Sequence, residues 1–276
     1  MYCVVLWVEV FNVSRDERFR LSSTSRGNQI KWVKGNKFLK ADTMGYESIA
    51  EVLATEVAMA TKGLNYVDYS LCKIVQDNAT SYYGCVSDIF IKDDEMLVSV
   101  DRMVVRYLGS TIERNKFYKK IKGIDLVKNL SYICSEITGI SQDDVMLYWS
   151  NIVKLDAIIL NEDRHFNNIS FLKNKNGSYF LCPIFDNGLS FLSDVRDYPL
   201  DERLYDNIKK VKSRPFNSDF IKQVGYFKDY DLLHIDCNSL YERLNNCTVD
   251  FKIKEFNRAL KVLKNRLDLL RGVAWE

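Results

Sequence analysis

Residues 161–168 form a polar stretch, NEDRHFNN, between two segments that a folded chain has to bury. The segment before it, 154–160, is mostly apolar and carries its large residues at helical spacing. The segment after it has two apolar runs on either side of an Asn- and Gly-rich stretch at 174–178, which is typical of a β-hairpin turn. The polar stretch therefore joins the end of a helix to a hairpin, and the second hairpin strand runs into Asp186.

This order predicts that Asp163, Asn168 and Asp186 come together where the helix and the hairpin end. Oxygen ligands of this kind suit Mg²⁺, which prefers one or two carboxylates together with substrate phosphates. A phosphoryl transferase also needs an Asp that accepts the hydroxyl proton, and an Asn and an Asp that hold metal. The alternative is a polar loop that caps a helix, with Asp163 and Asn168 as turn residues. In that case the order found here, D-x-x-x-x-N followed by a hairpin and a second Asp, would match the arrangement of a kinase by accident.

The pattern DRHxxN at 163–168, followed by a hairpin and FDNG at 185–188, resembles the catalytic segment of the HipA-like kinases. This family includes the shorter CtkA-like members and shares a distant catalytic-loop pattern with phosphoinositide kinases. The matching motifs extend from about residue 24 to about residue 192, and the C-terminal third matches only in being helical. The resemblance implies an α+β, two-lobed, protein-kinase-like fold with a β-rich N-lobe at 1–107 and a helical C-lobe at 108–276.

The activity that this resemblance implies is that of an ATP-dependent protein serine/threonine kinase that uses Mg²⁺. Asp163 would then be the general base, Asn168 and Asp186 would be metal ligands, and His165 would shape the loop. Because the catalytic loop also resembles that of phosphoinositide kinases, a small-molecule or lipid kinase is an alternative. A second alternative is a non-catalytic ATP-binding interaction module, although all the expected polar residues, including Lys40, are present.

Two features before residue 41 carry the phosphate-binding part of the resemblance. In the family, the equivalent of Gly27, Asn28 and Gln29 covers the ATP phosphates, and the Lys of the next strand, here Lys40, contacts them. Backbone N–H groups of such a loop can bind phosphate oxygens without side chains. The loop has one Gly where the G-x-G-x-x-G pattern of eukaryotic protein kinases has three. A solvent-exposed strand end is the alternative interpretation of Lys40.

A helix is predicted at 46–60, where apolar residues recur at spacings of three and four. A kinase needs a Glu from this helix to hold the strand Lys, and the resemblance favours Glu47 over Glu51. Both residues can also be explained as first-turn carboxylates that complement the helix dipole, and that alternative stays open.

Val100, Asp101 and Arg102 match a Phe-Asp-Arg in the family. They lie where the chain would lead into the second lobe, and in kinase-like folds this segment offers backbone groups to adenine. The match implies a contact of Val100 with the adenine and of Asp101 with the ribose. A charged pair at the end of a strand is the alternative, because 95–105 is rich in strand-forming residues.

The family also carries a phosphorylatable Ser before the phosphate loop. The register places Thr24 at that position, with Ser23 and Ser25 as neighbours. The resemblance therefore implies autophosphorylation within 22–25. An unmodified Ser-rich loop is the alternative.

Composition limits the class of protein further. The 276 residues suffice for two cores, and a net charge of +2 gives no strong attraction to nucleic acid or membrane. The seven cysteines are scattered and never in C-x-x-C spacing, which favours reduced thiols and argues against a zinc site. We therefore expect a cytoplasmic protein that binds neither nucleic acid directly nor a membrane, and the family resemblance implies a bacterial source.

Partners can be considered only through the resemblance. Members of this toxin family often have an extra N-terminal region and pair with a DNA-binding antitoxin. This chain begins too close to its phosphate loop to hold that region. An antitoxin or other regulatory partner therefore stays open, and the protein substrate is not identified.

The remaining patterns predict further elements by hydrophobic periodicity and turn residues. They are strands at 2–11, 30–32, 37–40, 72–75, 81–91 and 95–105, a helical region from 109 on, and helices at 143–160 and 251–270.

Overall fold

A computed structural model of the chain describes residues 9–18, 29–247, 249 and 251–276. The strands in this part are β1 (Glu9–Val13), β2 (Lys31–Lys34), β3 (Lys37–Ala41), β4 (Ser70–Gln76), β5 (Thr80–Asp88), β6 (Glu95–Ser99), β7 (Ser170–Asn174) and β8 (Tyr179–Leu181). The helices are α1 (Glu47–Met59), α2 (Val100–Leu108), α3 (Thr111–Lys120), α4 (Gly123–Thr138), α5 (Gln142–Ile159), α6 (Leu204–Lys210), α7 (Phe220–Gly225), α8 (Cys237–Asn246) and α9 (Ile253–Leu270).

The first five strands form one sheet in the order β1-β4-β5-β3-β2. All its pairs are antiparallel except β1 with β4. One face packs on α1, which places Val52 against Cys85 of β5, and the other buries a small core around Trp32 and Ile74. Because both faces are covered, inward-pointing residues of β3 such as Leu39 and Lys40 are buried.

The second sheet has the order β6-β7-β8, and β7 and β8 are the hairpin that the sequence predicts. The prediction of a strand over 95–105 is wrong in its second half, because the strand ends at Ser99 and α2 begins at Val100. Ser99 Oγ accepts a hydrogen bond from the N–H of Arg102, so this serine is the N-cap of α2. The apolar residues Val100, Met103 and Val104 then share the buried face of a helix.

The main core surrounds α5, which is apolar nearly all round and is buried along most of its length. It packs against α4, α7 and α9, so the segment that follows it is held firmly by the rest of the fold. The predicted α+β class, with a β-rich N-terminal part and a helical C-terminal part, is confirmed.

The division at residue 107 stays a prediction. Strand β6 already pairs with β7, and α2 already packs against α4. The C-terminal part also contacts the first sheet, since the ring of Phe251 stacks on that of Tyr83 in β5 with centroids 3.9 Å apart. Among the described helices, none is both long enough and apolar enough to cross a membrane.

Candidate active site

Lys40 lies at the centre of a buried charge network that joins β3, α1 and the segment after β8. Only 2% of its surface is exposed, so the interpretation as a solvent-exposed strand end is wrong. Its Nζ lies 2.6 Å from Glu51 Oε1 and 2.9 Å from Asp186 Oδ1. Burial by itself would lower the pKa of Lys40, but the carboxylates of Asp186 and Glu51 outweigh it and hold the pKa well above its ordinary value. Lys40 is therefore protonated inside the fold at neutral pH.

The contact with Lys40 belongs to Glu51, so the preference for Glu47 as the partner of Lys40 is wrong. The carboxylate of Glu47 accepts hydrogen bonds from the N–H groups of Thr43, Met44 and Gly45, at 2.9, 2.8 and 2.8 Å. The physical reason is position along α1. Glu47 is the first residue of the helix and satisfies the backbone donors before it. Glu51 lies one turn later, beside β3.

Asp186 adopts a left-handed backbone conformation with a φ of 61°. Few residues other than glycine do so, and the cost is of order 1–3 kcal/mol. The conformation is held from α1, because the N–H of Asn187 donates to Glu51 Oε2 at 2.9 Å. Burial would raise the pKa of Asp186, but Lys40 and Lys31 outweigh it and hold the pKa well below its ordinary range. Asp186 is therefore a fixed anion, which is the state that a metal ligand needs.

Arg164 fixes the shape of the polar stretch. It is fully buried, and its guanidinium pairs with the equally buried Asp156 of α5 at 2.9 Å. Arg164 also donates to the carbonyl oxygens of Asn168 at 3.3 Å and Phe185 at 2.7 Å, and to Asn187 Oδ1 at 2.5 Å. These bonds tie the loop to the segment that carries Asp186. One buried side chain therefore sets the spacing between the predicted base and the predicted metal ligands.

Asp163 lies in the same loop and is 6% exposed. Its Oδ1 has no hydrogen-bond partner among the described residues, although Arg214 Nη1 lies 3.5 Å from it. His165 Nε2 lies 3.8 Å from Oδ2. Burial raises the pKa of Asp163, His165 and Arg214 oppose that rise, and Asp186 adds to it. Asp163 is therefore a carboxylate with an available acceptor oxygen and a raised affinity for a proton.

Asn168 is held against Asp163, because its Nδ2 donates to the carbonyl oxygen of Asp163 at 3.1 Å. Since the amide nitrogen is engaged, Oδ1 is the atom that Asn168 offers to a metal. In the part of the chain that the structure describes, no three His, Cys, Asp or Glu residues cluster as a metal site. A hard cation here would rely on Asn168, Asp186 and non-protein oxygens, which matches the preference of Mg²⁺ for substrate phosphates.

Asp163 and Asp186 open onto one cleft, so the structure brings these two predicted residues together. Gln29 and Lys31 also line it. Gln29 Nε2 is a buried donor without a hydrogen-bond partner among the described residues. The other described residues that line the cleft are Met44, Glu47, Gly188 and Leu189. The cleft therefore combines an amide donor and a cation with carboxylates.

Val100 and Asp101 do not line this cleft. They form the first turn of α2, where Val100 is fully buried and its N–H donates to the carbonyl oxygen of Ile169 at 2.9 Å. Asp101 pairs with Arg114 at 2.6 Å. The N–H that adenine would need from Val100 is thus already used, and the interpretation of Asp101 as part of a charged pair is favoured.

Gly27 and Asn28 of the predicted phosphate loop lie outside the described residues. The same holds for Ser23, Thr24 and Ser25, the predicted sites of autophosphorylation. His234 is exposed, and its Nδ1 lies 2.9 Å from Glu276 Oε1, away from the catalytic-loop pattern in sequence.

Sequence reasoning missed three residues of this site, Lys31, Asp156 and Arg214, and it ranked Glu51 below Glu47. Asp156 carried a signal, because a carboxylate within the apolar run of α5 has to be buried and paired. Lys31 and Arg214 carried none, because neither lies near the DRHxxN pattern in sequence. Arg214 reaches Asp163 only because Gln223 binds its loop through Ser213 Oγ and the carbonyl oxygen of Arg214.

No protein-family model matches the chain, and no curated protein matches it. Among solved structures, it is similar to the proinflammatory kinase CtkA of Helicobacter pylori, with a TM-score of 0.66, 16% sequence identity and coverage of 96% of each chain. It is also similar to a chain of the HipA, HipB and operator DNA complex of the Shewanella oneidensis MR-1 toxin–antitoxin system. There the TM-score is 0.49, the identity is 12%, and the match covers 99% of this chain and 70% of the other. The likeness to CtkA establishes the fold, which is the kinase-like fold that the sequence pattern implies.

Proposed function

We propose that the chain is an ATP-dependent protein serine/threonine kinase. The observation that carries the proposal is the buried network of Lys40, Glu51 and Asp186, with Asp163 in the same cleft. Protein kinases need an ion pair between a strand Lys and a helix Glu, together with a metal-holding Asp, before they transfer phosphate. Burying Lys40 and Glu51 and partly burying Asp186 is costly, so their presence in this arrangement supports a role that requires them.

The residues of the cleft fit ATP with Mg²⁺. Gln29 Nε2 is a buried donor that lacks a partner among the described residues, and phosphate oxygens are strong acceptors. Gln29, Lys31 and Lys40 would hold the phosphates, while Asn168 and Asp186 would hold Mg²⁺. When bound, the ion supplies positive charge that neutralises the phosphate oxygens during transfer.

Asp163 orients the substrate hydroxyl and receives its proton at Oδ1, the oxygen without a hydrogen bond. The hydroxyl oxygen forms a new bond to the γ-phosphorus of ATP. The bond between that phosphorus and the β–γ bridging oxygen breaks, and its electron pair leaves with ADP. Arg214 and His165 lie beside Asp163 and favour its ionised form before the transfer.

The direct test is incubation of the purified chain with γ-labelled ATP and Mg²⁺, alone and with a cell lysate, followed by mass spectrometry of the labelled species. We expect Mg²⁺-dependent label on Ser or Thr residues of protein. The matched control is the Asp163→Asn variant, which keeps the size of the side chain and removes the base. Label on a lipid or a small molecule would select that class of kinase instead. ATP binding without any transfer would indicate a non-catalytic ATP-binding module.

We also propose that the chain phosphorylates itself within 22–25, at Ser23, Thr24 or Ser25. A phosphate there adds about −1.5 to −2 charge and would repel ATP phosphates if the loop stayed over them. Autophosphorylation should therefore lower activity. Peptide mapping of the active enzyme after incubation with Mg²⁺ and ATP tests this, with Asp163→Asn as the control. Absence of phosphate in that segment would contradict it.

A further inference from the structure

A second cavity of about 170 Å³ lies beside Asp163, the predicted base. It shares Asp163 and Leu189 with the cleft that contains Lys31 and Asp186. Its other described lining residues are Glu162, Asp194, Arg196 and Asp197. Because Asp163 lines both spaces, a group in the second cavity can reach this carboxylate while the proposed phosphates occupy the first cleft.

Among the described residues that line this cavity, the carboxylates of Asp163, Asp194 and Asp197 outnumber the guanidinium of Arg196 even without Glu162. The charge of Arg196 is already used, because its Nε and Nη2 lie 2.9 and 2.7 Å from the two carboxylate oxygens of Asp194. Glu162 Oε2 accepts a hydrogen bond of 2.6 Å from the hydroxyl of Tyr198, which fixes that carboxylate at the wall. Asp197 is exposed at the rim. The cavity therefore carries an excess of negative charge.

Acidic side chains alone do not define a site, but Asp163 gives an independent indication of a ligand. This residue is 6% exposed, and its Oδ1 accepts no hydrogen bond from the described residues. Arg214 lies 3.5 Å away and balances charge without donating a hydrogen bond. A buried carboxylate oxygen that lacks a donor and lines a cavity needs a donor from a ligand, and a hydroxyl is such a donor.

We propose that this cavity is the phosphoacceptor subsite, and that its substrate is a Ser or Thr in a basic peptide segment, with Lys or Arg next to the hydroxyl. The inference rests on the proposed function and adds the class of substrate to it. The first cleft combines Lys31 and the amide donor of Gln29 with the carboxylate of Asp186, which would hold Mg²⁺, whereas the one guanidinium in the described lining of the second cavity is already paired with Asp194. A cationic segment is therefore attracted to the second cavity, and an acidic segment is repelled from it.

The test has a binding arm and a transfer arm, both with the full chain. The probes are fluorescein-labelled peptides that contain one Ser, flanked by Arg in one peptide, by Ala in the second and by Glu in the third. Binding is followed by fluorescence anisotropy, and transfer is followed with Mg²⁺ and labelled ATP. The variants are Asp197→Asn and Asp197→Lys. The matched control is Asp201→Lys, which makes the same change of charge at an exposed residue four positions away that does not line the cavity.

We expect the Arg peptide to bind most tightly and the Glu peptide most weakly. Exposed pairs contribute modestly, so Asp197→Asn should weaken binding of the Arg peptide about 2- to 5-fold, and Asp197→Lys should weaken it further. Asp201→Lys should leave the affinity for the Arg peptide nearly unchanged, and the affinity for the Ala peptide should differ little among the variants. Added salt should reduce the preference for the Arg peptide. Equal or tighter binding of the Glu peptide, or an Arg preference that Asp197→Lys leaves intact, would overturn the inference. Charge-selective binding without transfer would retain the subsite and reject the kinase.

Discussion

Two buried ionic networks lie within the site, and they differ in whether a ligand can reach them. The network of Lys40, Glu51 and Asp186 joins parts of the chain that are up to 146 residues apart. Its end at Asp186 is open, because 21% of that side chain is exposed in the cleft. The pair of Asp156 and Arg164 lies only eight residues apart in sequence, and both side chains are fully buried.

The sealed pair uses the donors of its guanidinium on the protein itself. Arg164 binds Asp156, the carbonyl oxygens of Asn168 and Phe185, and the side chain of Asn187. The open network keeps an anion at its edge, where a cation can approach. Two buried networks in one site can therefore have separate tasks. One holds the loops at the right spacing, and the other meets the ligand.

The largest effect is expected from replacing Asp163, the proposed base, which lines the same cleft as Asp186 of the open network. Asp163→Asn should lower phosphoryl transfer by about 10²- to 10⁴-fold, which is the range for a general base. The stability should change little, because Oδ1 makes no hydrogen bond and Asp186 disfavours the charge on Asp163. Labelled-ATP transfer and thermal unfolding together measure this. The control is Asp206→Asn, which makes the same change in a surface residue that pairs with Arg203. Transfer at the wild-type rate in Asp163→Asn would remove this residue from the mechanism.

The sealed pair should respond in stability first. Arg164→Leu leaves Asp156 as a buried charge without its partner, so the free energy of unfolding should fall by about 3–5 kcal/mol. The double variant Asp156→Leu/Arg164→Leu removes both charges and should recover part of that loss. Activity should stay low in both, because the bonds from Arg164 to Asn168, Phe185 and Asn187 are gone. Denaturant unfolding gives the comparison, and a single variant as stable as the wild type would contradict the assignment.

The next effect concerns the cation of the open network. Lys40→Ala should weaken binding of Mg²⁺–ATP by about 1.5–3 kcal/mol, which is the range for a charge-assisted hydrogen bond. Isothermal titration of the nucleotide measures this directly. Lys37→Ala is a control on the same strand, since the side chain of Lys37 is 41% exposed and pairs with Asp88. Unchanged nucleotide affinity in Lys40→Ala would separate Lys40 from the phosphates.

Glu51 and Glu47 offer a finer test on one helix. Glu51→Gln should lower nucleotide affinity together with transfer, because it removes the negative partner of Lys40 and weakens the bond to the N–H of Asn187. Glu47→Gln should instead cost about 1 kcal/mol of stability, because a neutral amide weakens the hydrogen bonds from the N–H groups of Thr43, Met44 and Gly45. The comparison uses the same substitution one helical turn apart. It would fail if Glu47→Gln lowered nucleotide affinity more than Glu51→Gln.

These residues show which features of the site could be predicted from the sequence and which could not. The convergence of Asp163 and Asp186 could be predicted because the helix, the polar stretch and the hairpin are contiguous, and local patterns define all three. The choice between Glu47 and Glu51 could not, because both lie on one face of α1 and the backbone donors of 43–45 decide between them. The strand predicted over 95–105 failed because Ser99 caps a helix, and an apolar run does not show where a strand ends.

The smallest effect is expected at Arg214, whose Nη1 lies 3.5 Å from Asp163 Oδ1. Burial raises the pKa of Asp163, His165 and Arg214 oppose the rise, Asp186 adds to it, and Arg164 lowers the pKa slightly. The base must be ionised to accept a proton, so activity falls as the pH drops through this raised pKa. Arg214→Ala removes a cation that favours ionisation, so the pKa rises further and the acidic limb of the kcat/KM profile moves to higher pH. On that limb the loss should be about 2- to 5-fold, as for a partly exposed pair, while the plateau at higher pH should remain. Arg214→Lys keeps the charge and should restore most of the profile. A lower plateau with an unmoved limb would instead show that Arg214 contacts the substrate.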